Sequence, residues 1–223
     1  MKKILVFLLA FGSLSACQER SGNFSNENIM QEKDIINQVK KNNISAVKSA
    51  LENGTDVNTR DGKGRSLLLI ATVEKQTEMA KLLVSYKANV NLQDNQLDSA
   101  FLYAGASGQT ELVKLYLENG ARFDLFNRYN GTALIPACER GYVETVKVLV
   151  KTKGFPVNHV NKLGWTALME AVILGNGTQK YQEIVQILKD HGADLTIPDH
   201  AGKTPLQHAE SLGFKEIAMI LKS

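Results

Sequence analysis

The chain has 223 residues, 26 Lys and Arg against 23 Asp and Glu, a formal net charge of +3, and 43% hydrophobic residues. That balance excludes a disordered, fibrous or multi-span membrane chain and describes a globular protein. It carries no cationic excess of the kind that drives binding to phosphate backbones, so no nucleic-acid partner is expected.

At the start of the chain, Lys2 and Lys3 precede the apolar run ILVFLLAFG and the small-residue stretch SLSAC, the layout of a secretory signal. The run is well short of the ~20 residues needed to span a bilayer as a helix. Leu14, Ser15, Ala16 and Cys17 resemble the lipobox of bacterial lipoproteins. The resemblance implies a signal peptide over 1–16 and a lipid on Cys17, the first mature residue. Gln18 is not the aspartate associated with inner-membrane retention, which implies an outer-membrane anchor facing the periplasm. The alternative is a plain secreted protein with a cysteine near its cleavage site. Loss of Lys2 and Lys3 takes two from the formal charge of +3 and leaves +1. Acylation of Cys17 leaves Cys138 alone in the mature chain, so no intramolecular disulfide can form, and Cys138 reads as a small buried residue. Residues 17–28 are mostly polar and are expected to behave as a flexible tether with a reach of roughly 17–20 Å.

The remainder repeats. Glu78, Glu111, Glu144, Glu183 and Glu216 each precede an apolar run, at spacings of 33, 33, 39 and 33. Asp61, Asp94, Asn127, Asn161 and Asp199 open the units, and SLLLIA, SAFLYA, TALIPA, TALMEA and TPLQHA follow each opener at a fixed distance. Each unit reads as a turn, a short helix, a tight connection and a longer helix with apolar residues at i, i+3 and i+4. Asp or Asn suits the opener because its side chain accepts from nearby backbone amides. Gly54, Gly120, Gly154 and Gly192 follow the second helices, where a left-handed cap favours a residue without Cβ. Lys87 holds the same place in the first full unit, which predicts a strained turn or a different conformation.

GKTPL at Gly202–Leu206, GWTAL at Gly164–Leu168 and HGADL at His191–Leu195 resemble ankyrin repeats, whose period is about 33. The resemblance covers residues 29–223 and implies an all-α ankyrin-repeat solenoid: an N-terminal capping repeat at 29–60, then units at 61–93, 94–126, 127–160, 161–198 and 199–223. The signature histidine is replaced by Leu69, Leu102, Ile135, Met169 and Gln207, so the turn-linking hydrogen bonds it supplies in the family are expected to be absent. The last helix lacks a polar capping repeat, so its outer face is expected to be partly exposed. The extra length before Glu183 falls as one residue near KTKGF and about five in GNGTQKYQ, read as a loop between the helices of the fourth unit.

No constellation for chemistry stands out. GNGTQKY lacks the spacing of a phosphate loop, and HExxH, GxSxG and CxxC are absent. His159, His191, His200 and His208 lie apart, and the periodic glutamates favour helix starts rather than catalysis, which needs a carboxylate once. No cofactor, metal or catalytic residue is assigned, and the chain reads as a non-enzyme. The competing reading is an envelope hydrolase with a composite site.

The resemblance implies binding of an exported or envelope protein through the concave face formed by turn tips and first helices. Residues that choose a partner need not recur, so the variable positions matter. Those of the third and fourth units are rich in aromatic, Arg and aliphatic residues, with Glu139 and Lys162 also variable. The expected contact set is Phe126, Arg128, Tyr129, Arg140, Leu163, Trp165, Ile173 and Leu174, with Trp165 near its centre. The alternative for Trp165 is a structural one, folded onto the neighbouring turn. Two narrower functions fit: an inhibitor or immunity-type protein covering a toxin or cell-wall enzyme, and a stress-related accessory of a periplasmic enzyme.

Overall fold

A computed structural model describes residues 33–223. The signal sequence, Cys17 and the tether lie outside the described residues. Helix α1 occupies 33–40, and the rest follow in pairs: α2 (Ile44–Glu52), α3 (Leu67–Val73), α4 (Thr77–Ser85), α5 (Ala100–Ala106), α6 (Thr110–Glu118), α7 (Leu134–Glu139), α8 (Val143–Lys151), α9 (Ala167–Ile173), α10 (Gln179–Asp190), α11 (Pro205–Ser211) and α12 (Lys215–Lys222). Among the described residues there is no strand, only an isolated bridge from Arg60 to Ser66. The short helices α3, α5, α7, α9 and α11 stack in one row and the longer ones in a second, giving the expected two-layer, all-helical solenoid.

Every opener turn closes in the same way. The amides of Asp61, Asp94, Asn127, Asn161 and Asp199 donate to the carbonyls of Arg65, Asp98, Gly131, Trp165 and Lys203. Each opener's Oδ1 accepts two amides in return, as Asp94 does from Gln96 and Asp98. Just before its close, the turn passes through the left-handed region at Gly64, Leu97, Asn130, Gly164 and Gly202. Asparagine tolerates that region, and Leu97 adopts it with a side chain that is a poor match for it.

The short helices then start on hydroxyl caps. Ser66, Ser99, Thr166 and Thr204 each accept the amide three residues on, an arrangement whose loss typically costs about 1 kcal/mol. The third unit breaks the pattern. Pro136 has no amide to give the Thr132 carbonyl, α7 begins only at Leu134, and the buried Thr132 hydroxyl has no partner.

The apolar faces of both rows form one continuous core, with Tyr116, Phe101, Leu83 and Leu149 fully buried. Cys138 is buried in it, and burial followed by the charge of Glu170 pushes its thiol pKa up. Lys81 bridges Glu78 to Glu111 and Lys147 bridges Glu144 to Glu183, so the periodic glutamates also tie one repeat to the next.

The structure resolves two of the expectations and corrects a third, the insertion. Turn tips are linked without the signature histidine, because the Asn95 amide donates to Lys63 and the Lys162 amide to Tyr129. Lys87 takes the left-handed cap conformation at φ 66°, the strained turn that is one of its two expected outcomes. The insertion is largely helical: α10 has 12 residues against 9 in α8, and its added turn buries Tyr181, whose hydroxyl donates to the Glu139 carbonyl at 2.9 Å. At the C-terminal end the outer face is exposed as expected, with Met219 at 61%.

Candidate functional site

The fourth opener does more than close its turn. Asn161 is buried, and its Oδ1 accepts from the amides of Leu163 and Trp165 at 2.9 and 3.0 Å. Those two bonds fix the amide's orientation, so Nδ2 faces the first turn of α9 and donates to Glu170 Oε1 at 2.8 Å. Gly164 closes the turn at φ 80°, and a Cβ there would lie 2.6 Å from the His200 ring.

Beside this turn a cavity of about 340 Å³ opens between the third and fourth units. Its walls are the turn of residues 127–131, Ile135, Pro136 and Glu139 of α7 with Arg140 just beyond, and Asn161, Leu163, Glu170 and Leu174. Glu170 is only 4% exposed, and its Oε2 has no hydrogen-bond partner. Burial, then the charge of Glu139, raise its pKa to about 7 against the opposing hydrogen bond from Asn161. Glu139 lines the same cavity and forms no ion pair among the described residues.

The neighbouring cations are engaged elsewhere. Arg128 donates to Asp98 at 3.2 Å and lies over the Tyr129 ring. Arg140 donates to the Ala106 carbonyl, and Lys162 to the Arg128 carbonyl at 2.8 Å. Glu139 and Glu170 thus share the cavity without an ion-pair partner among the described residues, Arg128 and Arg140 also lie on its lining, and Tyr129, Leu163 and Leu174 form an apolar lip.

Five of the eight residues expected to contact a partner line this cavity: Arg128, Tyr129, Arg140, Leu163 and Leu174. Tyr129, Leu163 and Leu174 are exposed by 55%, 54% and 48%. The other three do not line it. Phe126 is half-buried and stacks on the His159 ring at 4.1 Å, while Trp165 and Ile173 are half-buried beside it. Sequence reasoning passed over Glu170 and left Glu139 outside the contact set. A signal existed: the residue before the closing alanine of each motif is Ile70, Tyr103, Pro136, Glu170 and His208, and Glu170 is the one carboxylate.

Three of the four histidines are absorbed locally. His159 pairs with Asn130, His191 with the Ile187 carbonyl and His208 with Asp199. Among the described residues no group of three or more His, Cys, Asp or Glu side chains is placed to hold a metal ion.

Comparison with known proteins agrees with this architecture. The family described as ankyrin repeats (three copies) matches residues 35–127 and 101–199. The ankyrin repeat protein YahD of Escherichia coli strain K12 is 35% identical over 188 residues, covering 84% of this chain and 94% of its own length. The crystal structure of the ankyrin repeat domain ABAYE2397 from Acinetobacter baumannii AYE superposes with a TM-score of 0.83 at 44% identity, covering 86% of this chain and 97% of that one. That of EF0377, an ankyrin repeat protein, gives 0.82 at 37% identity, covering 85% and 96%.

Proposed function

Because the chain belongs to the ankyrin-repeat family, whose repeats serve as protein-interaction modules, we propose that a protein partner docks over the cavity between the third and fourth units. The observation that carries this reading is the lip: Tyr129, Leu163 and Leu174 are large, apolar and each about half exposed around one opening. Aromatic and aliphatic anchors around a recess are the kind of surface on which binding energy concentrates. Trp165 and Ile173 flank it as secondary contacts.

The second half of the proposal is the address. A lipid on Cys17 holds the module at the envelope, facing the periplasm, where it meets an exported protein at high local concentration. It acts there without catalysis, as an inhibitor covering its partner or as an accessory that helps an envelope enzyme reach or keep its active form. The competing hydrolase reading would rest on the carboxyls of Glu139 and Glu170 alone, since the adjacent Cys138 thiol is wholly buried with a raised pKa.

The tests separate the two halves. Tagged wild type and a Tyr129→Ala/Leu163→Ala/Leu174→Ala variant of equal melting temperature are used to capture partners from envelope extract. A protein held by wild type and lost by the variant is expected; equal capture by both overturns the docking site. Metabolic labelling with an alkyne fatty acid should mark wild type and not Cys17→Ser. An unlabelled wild type overturns the anchor.

A further inference from the structure

We propose that the cavity receives a lysine or arginine side chain of the docked protein, with Glu170 and Glu139 accepting its charge. This deepens the docking reading and rests on it.

Three observations carry the inference. First, Glu170 Oε2 is buried and unpartnered, a costly state for a carboxylate oxygen that a donor from outside would relieve. Second, the charge that acts on it is that of another carboxylate, Glu139, while Arg128, Arg140 and Lys162 each direct a donor to another acceptor. Although Arg128 and Arg140 also line the cavity, neither carboxylate has an ion-pair partner among the described residues, and beside Glu170 a cation is favoured and an acidic side chain disfavoured by like-charge repulsion. Third, the way in passes Leu163 and Leu174, apolar side chains against which the methylene stem of a lysine or arginine can lie while its charged head reaches the carboxylates. At about 340 Å³ the space sits near the lower end for small-molecule sites and holds one such side chain.

The test uses the full chain, labelled at its leucine methyls and observed by NMR at pH 8. It is titrated with Nα-acetyl-lysine methylamide, Nα-acetyl-arginine methylamide and the neutral comparator Nα-acetyl-norleucine methylamide. Saturable shifts at Leu163 and Leu174 are expected with the two basic probes and not with norleucine. Glu170→Gln should weaken the basic probes about tenfold or more, and Glu139→Gln several-fold. Glu170→Gln keeps the acceptor for Asn161, and Glu139 is only half-buried, so both variants should fold. Equal binding of norleucine, or no effect of either variant, overturns the proposal. Partner capture distinguishes the two levels. A protein lost by the triple lip variant but held by the Glu139→Gln/Glu170→Gln double variant leaves the docking site standing and removes the basic side chain. Binding of the basic probes with no protein lost by the lip variant overturns a docked protein as the source of the charge.

Discussion

The fourth and fifth units contain the same contact with opposite outcomes. In both, the opener reaches the first-helix residue nine positions on: Asp199 with His208 at 2.7 Å, Asn161 with Glu170 at 2.8 Å. In the fifth unit the pair is complementary. The Asp199 carboxyl is held below the usual range, first by the Lys203 amide and then by the His208 ring. In the fourth, a neutral amide meets a carboxylate and satisfies only one of its oxygens. One backbone scaffold thus yields a closed structural pair in the fifth repeat and an unsatisfied group facing a cavity in the fourth.

The largest effect should come from removing the shared element. Asn161→Ala deletes two turn bonds and the single partner of Glu170, and denaturant unfolding should show a loss of about 2–4 kcal/mol. Next comes Glu170 itself. A carboxyl whose folded pKa lies near 7, above its ordinary 4.5, binds more protons folded than unfolded, so its contribution to stability is full below 4.5 and is lost as pH rises to 7. Glu170→Gln should therefore melt like wild type near pH 4.5 and exceed it by about 1–2 kcal/mol at pH 8. A constant difference across that window would mean the carboxylate is not desolvated.

Transplanting the closed pair is the third test. Asn161→Asp alone places a second carboxylate beside Glu170 and should destabilise at pH 8. Adding Glu170→His should recover about 1 kcal/mol through coupling of the two sites, and should abolish binding of basic probes. The smallest effect is expected from the mirror change. His208→Leu removes one bond from Asp199, which still accepts from the Ala201 and Lys203 amides, so its cost should be well below that of Asn161→Ala.

Features set by neighbours in sequence were the legible ones. The opener turns and the hydroxyl caps follow from side chains reaching amides two to four residues away, and their periodicity made them visible. Even there TALIPA carried a local conflict, a proline where the cap's carbonyl needs an amide, and α7 starts late because of it. Features set by stacking were not legible. Trp165 has the residue type of a contact, but its half-burial depends on how the turns lie together. The carboxyl pair joins Glu139 at the end of α7 to Glu170 on α9, residues from successive repeats that only the packing of the short helices brings to one cavity. The GNGTQKYQ insertion looked like a loop from its glycines, yet Tyr181 finds a buried place against the preceding repeat and extends α10.

The most direct test of the open pair is the side-chain carboxyl resonance of Glu170 followed through a pH titration of the full chain, with and without Nα-acetyl-lysine methylamide. A midpoint near 7 that falls when the basic probe is present is the predicted result. A midpoint near the ordinary 4.5, unmoved by the probe, would contradict the account, because it would show that the second carboxylate oxygen is already satisfied.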